Sequence, residues 1–255
     1  MATHPNDRAY AVNYNWMLDG DVGGHLLSRP VPHSIKRPSE SRIWFRYPNQ
    51  PSTSSHALSG SGAKPSLIGR VLPGGASQVI QASYNAQGNV TSYSDPLGRQ
   101  TTYSYATNGL DLLDVHQTVS GGSDLLASFS SYNSIHLPAT ATDGALQDTD
   151  FTYNSLGQPL TVTNAKSETT TFVYDTTAKT LTSVTGAVSG ATTSFTYDAI
   201  GRVESVTTSD GYVVEFAYDT LNRLISKTYP DATTETFTYD RLDLTEVKDR
   251  LGRIT

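Results

Sequence analysis

Acidic side chains recur along this 255-residue chain at short, regular distances, and paired carboxylates are the machinery of glycoside hydrolysis. A catalytic pair is unique in its chain, however, whereas these Asp residues return in unit after unit beside Gly and Asn. They read as turn residues. The six histidines, His4, His25, His33, His56, His116 and His136, include no pair at zinc-ligand spacing. Asp19-Gly-Asp21 is the start of a calcium-loop pattern without the later ligands. Ser59-Gly-Ser-Gly62 is flexible by composition, and no Gly-x-Ser-x-Gly elbow, Walker loop or dinucleotide fingerprint is present. Cysteine is absent, which excludes disulfides, Cys-ligated zinc and thiol chemistry. No catalytic residue, cofactor or metal is assigned, and the chain is not expected to be an enzyme.

What recurs most strongly is not a reactive group but a tyrosine, followed mostly by Asp or Asn. It stands at Tyr84, Tyr105, Tyr132, Tyr153, Tyr174, Tyr197, Tyr218 and Tyr239, at intervals of 21, 27, 21, 21, 23, 21 and 21. The long interval carries an insertion near Ser120-Gly-Gly-Ser-Asp124. An aromatic residue lies two positions earlier in six copies: Tyr103, Phe151, Phe172, Phe195, Phe216 and Phe237. Residues i and i+2 of a strand share a face, so each Phe-x-Tyr puts two rings on one side. Such a ladder reads as the packed face of a sheet, with sugar stacking as the competing use.

Four residues after the tyrosine stand Gly88, Gly109, His136, Gly157, Ala178, Gly201, Asn222 and Asp243. Six of these are Gly, Asn or Asp, the residues that best tolerate positive φ, so Tyr-Asp-x-x-Gly predicts a type I turn with a bulge. The Asp bonds the turn's own N–H groups. At Ala178 and His136 a different local turn is expected. A second turn falls about two-thirds along each unit, as at Asp95-Pro-Leu-Gly98, Asn164-Ala-Lys-Ser167, Ser209-Asp-Gly211 and Pro230-Asp-Ala232. Each unit is therefore strand, tight turn, strand, turn. With no room for crossovers, the sheet must be antiparallel.

The motif complete at Tyr197-Asp198-Ala199-Ile200-Gly201-Arg202, with a near copy at Tyr218-Asp219-Thr220-Leu221-Asn222-Arg223, resembles the YD repeat of RHS proteins. The resemblance covers residues 78–255, about eight units of about 21 residues with the last incomplete. It implies an all-β fold, in which tandem antiparallel hairpins form a coiling sheet or solenoid that is part of a larger shell. In that family the shell encloses a C-terminal toxin domain, and related repeats serve in cell-surface adhesion. The resemblance thus implies a structural role in bacteria, secreted or at the cell surface. The expected partners are the rest of the repeat shell and a C-terminal effector domain; cell-surface glycans are the alternative. The residues expected to carry the structure are the eight tyrosines, Phe151, Phe172, Phe195, Phe216 and Phe237, and the turn glycines Gly88, Gly157 and Gly201.

Residues 1–77 show no clear repeat and read as an irregular Pro/Ser-rich lead-in, with one strand-like run, Ile43-Trp-Phe-Arg-Tyr47, and a flexible loop from Ser52 to Gly62. The lead-in holds 8 Lys/Arg against 4 Asp/Glu; residues 78–255 hold 10 against 20. An acidic array does not suit nucleic acid, whose phosphates need Lys and Arg. No run of about 18 apolar residues could span a membrane, and Met1 to Arg8 is not the start of a signal peptide. Another repeat tyrosine is due near position 260, so a segment of a longer array is expected.

Overall fold

The computed structural model describes residues 11–20, 26–50, 62–188 and 190–255. His4, His25, His56, Asp21 and Ser59 lie outside these residues, as does the expected flexible loop except for Gly62. Among the described residues there are strands and turns and no helix, and none long and apolar enough to cross a membrane as a helix. Two compact units divide the chain: residues 1–137 with 141–146, and residues 138–140 with 147–255.

The first unit contains β1 (Asn13–Gly20), β2 (Leu26–Lys36), β3 (Ile43–Arg46), β4 (Leu67–Val71), β5 (Ser77–Tyr84), β6 (Val90–Ser94), β7 (Gln100–Tyr105), β8 (Leu112–Val119) and β9 (Gly122–Ser130). Each pairs antiparallel with the next. The short β10 (Thr140–Asp143) shares residues with both units. The second unit holds β11 (Asp148–Tyr153), β12 (Pro159–Thr163), β13 (Thr169–Tyr174), β14 (Leu181–Thr185), β15 (Thr192–Tyr197), β16 (Val203–Thr207), β17 (Val213–Tyr218), β18 (Leu224–Thr228), β19 (Thr234–Asp240) and β20 (Asp243–Lys248). From β11 onward every strand again pairs antiparallel with its sequence neighbour. Tight turns leave no length for a crossover, so a meander is the only connection available.

Alternation sorts the second unit into two faces. Phe151 faces Val162, Phe172 faces Val184, Phe195 faces Val206 and Phe237 faces Val247 across their ladders. The other face is lined with hydroxyls that pair across strands: Thr152 with Thr161 at 2.6 Å, Thr163 with Thr169 at 2.8 Å, Thr185 with Thr192 at 2.9 Å and Thr196 with Ser205 at 2.8 Å. The apolar face is only half-buried, because within the unit no second layer covers it. Among the described residues the only buried apolar side chains are Met17 and Tyr47, at 0% and 3% exposure. Both belong to the lead-in, whose described part is not irregular: it carries β1 to β4. The signal there is the enrichment in aromatic and β-branched residues of Tyr14-Asn15-Trp16 and Ile43-Trp44-Phe45, which carry no repeat tyrosine at the common interval.

The turns follow one geometry. At Asp198–Arg202 the N–H of Asp198 donates to the carbonyl of Arg202, and the N–H of Gly201 donates to that of Asp198, with Gly201 at φ 86°. The same pair of bonds closes the turns that begin at Asn85, Asp95, Asn154, Asn164, Thr208, Asp219, Tyr229 and Asp249. His136 keeps this geometry at φ 63°. The expected departure there does not occur, because Asn133 supplies the same side-chain bonds to the N–H groups of Ile135 and Leu137. At Ala178 the turn does differ: it is one residue longer, and the positive φ moves to Lys179. In the last unit it sits at Arg241, not Asp243, because Asp240 pairs directly with Asp243 and leaves a two-residue turn.

Candidate functional site

The arrangement that recurs through this fold is the edge where the tyrosine turns line up. Each returning strand carries a register shift opposite the repeat tyrosine, as between Thr196 and Tyr197 or between Ala217 and Tyr218. The ladder to the following strand starts only beyond that shift. The β16–β17 ladder, for example, runs from Thr207↔Val213 to Ser205↔Glu215 and stops there. Past its end the Val203 carbonyl has no ladder partner, and an unpaired backbone acceptor is costly when it is shielded from water.

Tyr218 fills that place. Its hydroxyl donates to the Val203 carbonyl at 2.9 Å. The same bond runs from Tyr84 to Pro65 at 2.9 Å, Tyr105 to Val90 at 2.9 Å, Tyr153 to Pro138 at 3.0 Å, Tyr197 to Leu181 at 2.7 Å and Tyr239 to Leu224 at 3.0 Å. Tyr132 donates likewise to Leu112. Tyr174 ends β13 at the equivalent position. Seven of the eight repeat tyrosines thus latch the start of their own turn to the end of the preceding one, across the gap where two strands part. Burial pushes the phenols of Tyr84, Tyr105, Tyr153 and Tyr174 above their ordinary value, which keeps them protonated.

One latch was not legible as part of the series. Tyr47 donates to the Pro32 carbonyl at 2.8 Å, fifteen residues back, as Tyr105 and Tyr218 do. Its N–H donates to the side-chain Oε1 of Gln50 at 3.1 Å, and Asn49 takes positive φ. The available signal was Phe45-Arg46-Tyr47, an aromatic two residues before a tyrosine. Pro48 in the place of Asp, and the long distance to Tyr84, concealed it.

A second set of contacts runs turn to turn along the same edge. Arg202 binds its own Asp198 at 2.6 Å and also donates to the Asp219 carbonyl and the Asn222 side chain of the next turn, both at 3.0 Å. Its guanidinium lies 4.7 Å from the centre of the Tyr218 ring. Arg223 repeats the arrangement: it pairs with Asp219, donates to the Arg241 carbonyl and lies 4.3 Å from the Tyr239 ring. Where Arg is absent, amides serve. Gln158 donates to the Lys179 carbonyl at 2.9 Å, and Asn85 and Asn89 donate to that of Gly109 at 2.7 and 2.9 Å. In most of these rungs the acceptor belongs to the positive-φ residue, whose carbonyl the turn leaves pointing outward.

The turn carboxylates are held ionised. Asp198, Asp219 and Asp249 each lie below the ordinary carboxylate value, first through the backbone N–H of the Arg that closes the turn, and further through that residue's guanidinium. A lowered folded-state value means that the contribution is complete above the unfolded value, near 3.9, and is lost as pH falls through the lower folded values. The melting temperature followed by circular dichroism is accordingly expected to be nearly flat from about pH 7 to 5 and to drop as the pH falls below about 4. Asp219→Asn should flatten the drop.

The expected aromatic residues share this geometry unevenly. Phe151, Phe172, Phe195, Phe216 and Phe237 are half-buried on the face that also bears the tyrosine rings, and Phe151 stacks against Tyr153 at 6.3 Å. Gly88, Gly157 and Gly201 occupy the positive-φ position. Among the described residues, no group of three or more His, Asp or Glu is placed to hold a metal ion.

The RHS Repeat family matches residues 84–123, 178–213 and 197–234. The crystal structure of TcdB2-TccC3 without hypervariable C-terminal region is similar over 88% of this chain and 12% of that one, with TM-score 0.63 and 11% identity. The crystal structure of TcdB2-TccC3-Cdc42 is similar over 96% of this chain and 13% of that one, with TM-score 0.51 and 13% identity. This chain therefore spans about an eighth of the length of either structure. No curated protein matches it.

Proposed function

We propose that this chain is a non-catalytic segment of an RHS-type shell wall, whose work is to enclose or present a C-terminal effector domain; the RHS Repeat matches at residues 84–123, 178–213 and 197–234 support this reading. The observation that carries this reading is the turn-to-turn latch. In seven of the eight units the tyrosine closes the carbonyl that the preceding unit leaves open, so the array extends by adding copies. Fold likeness to the TcdB2-TccC3 structures supports a wall built in this way. One face of hydroxyls and one of rings separate two environments, as a wall must. Such a shell acts outside the cell that makes it, secreted or at the surface. The eight repeat tyrosines are its structural residues, and residues 1–77 lead into it as a further part of the same wall.

The test is the reading frame beyond codon 255, with limited proteolysis of the whole product. A continued run of the repeat that ends in an unrelated domain, protected from protease until the wall is breached, is the expected result. A product without further repeats, or one whose terminal domain digests as quickly as it does alone, overturns the proposal. Glycan binding by the aromatic face is the competing outcome and would register on a glycan array.

A further inference from the structure

The turn-to-turn steps along the tyrosine edge of the second unit are not equally tied. The last two carry both kinds of contact. Tyr218 latches to Val203 while Arg202 reaches the turn at Asp219, and Tyr239 latches to Leu224 while Arg223 reaches the Arg241 carbonyl. The two before them carry one each. From the turn at Asn154 to that at Asp175, Gln158 donates to the Lys179 carbonyl, but among the described residues the Tyr174 hydroxyl has no acceptor. From Asp175 to Asp198, Tyr197 latches to Leu181. Thr180 closes the turn there, as Arg202 and Arg223 close theirs, but among the described residues its side chain makes no contact with the next turn.

The missing latch coincides with two irregular turns. The Asp175 N–H donates to the Thr180 carbonyl and the Gly186 N–H to that of Ala191, each five residues on. The turns that begin at Asn154, Asn164, Asp198, Thr208, Asp219, Tyr229 and Asp249 all close four residues on. β14 is therefore entered and left by longer turns, whose closure costs more entropy. Between the turns at Asn154 and Asp175 lies a cleft of about 440 Å³, lined by Leu156, Leu160, Phe172 and Tyr174 among others. Two of the other tyrosines are covered at the corresponding place, since the guanidinium groups of Arg202 and Arg223 lie 4.7 and 4.3 Å from the ring centres of Tyr218 and Tyr239. Before Tyr174 that position holds Gln158, which has no charge to set against the ring.

We propose that β13 and β14 form a seam in the second unit, a hairpin that opens locally and reversibly while β17 and β18 stay closed. Units of a repeat array contact only their neighbours, so a lost tie lowers the free energy of opening there and not elsewhere. A wall made of such units yields first at this hairpin. The inference rests on the latch geometry and not on what the wall encloses.

Native-state hydrogen exchange of the full chain, read strand by strand and corrected for intrinsic rates, tests it. The β17–β18 hairpin is the reference, because its turn at Asp219 has both ties to each neighbour. Ladder amides of β13 and β14 are expected to exchange about tenfold faster than those of β17 and β18, which corresponds to about 1.4 kcal/mol. Tyr174→Phe removes a hydroxyl without a partner and should leave exchange in β13 and β14 unchanged. Tyr218→Phe removes a bonded one and should quicken exchange in β16 and β17 about fivefold. Gln158→Arg supplies the missing guanidinium beside Tyr174 and should slow exchange in β13 and β14 while β17 and β18 stay as they were. Equal protection of the two hairpins in the native chain, or a Tyr174→Phe variant that loosens β13 as much as Tyr218→Phe loosens β17, overturns the proposal.

Discussion

Replacing Tyr47 with Ala is expected to destabilise the first unit by about 4 kcal/mol, within the range for removing a large buried aromatic side chain. Tyr47 is the most deeply buried aromatic residue among those described, at 3% exposure. It also donates to the Pro32 carbonyl at 2.8 Å and has Gln50 between it and Met17. Deletion removes the ring from a well-filled site and leaves a shielded carbonyl without its donor. By contrast, Phe195→Ala and Phe216→Ala should cost only about 1–2 kcal/mol each, since their rings are already half in water. Urea denaturation of the full chain, followed by hydrogen exchange to place the loss, separates the three variants. A Phe216→Ala penalty equal to that of Tyr47→Ala would show that the aromatic face, rather than the lead-in, holds the principal core.

The second large effect belongs to the latch. Tyr218→Ala should lower stability by about 3 kcal/mol, drawn from a half-buried ring, a hydroxyl bond to Val203 and the guanidinium of Arg202 above the ring. Tyr218→Phe isolates the hydroxyl and should cost about 1 kcal/mol. In a repeat array each unit contacts only its neighbours, so the damage should be local. Amide exchange is expected to rise in β16 and β17 while β11 to β13 keep their protection. A double-mutant cycle of Tyr218→Ala with Arg202→Ala should return a coupling of about 0.5–1 kcal/mol. Zero coupling would mean that the stacked arginine is incidental, and uniform exchange across the unit would mean that the repeats do not behave as separable neighbours.

The acid-induced loss of stability, the antiparallel order and the positions of positive φ share one origin, the local chemistry of Tyr-Asp-x-x-Gly-Arg. That chemistry acts within five residues, and this is why it was legible in the chain. The turns at Asp198 and Asp219 follow it directly. Even His136 obeys it, because Asn133 supplies the bonds regardless of what stands three residues later. The longer turn at Lys179 and the short one at Arg241 show its limit, since a one-residue change in length moves the positive-φ site without altering the fold.

By itself, then, the sequence determined the repeat, the alternation of rings and hydroxyls between two faces, and the turn at each end of the strands, because period and turn propensity are properties of neighbours along the chain. Tertiary structure alone decided where each tyrosine hydroxyl goes and which residue is buried most. Those depend on residues fifteen or more positions apart meeting across a gap in the ladder. Tyr47 is the clearest case. Nothing beside it in the chain repeats the Asp and Gly of its counterparts, and only the folded lead-in brings Pro32 within reach of its hydroxyl and Met17 within reach of the neighbouring Gln50.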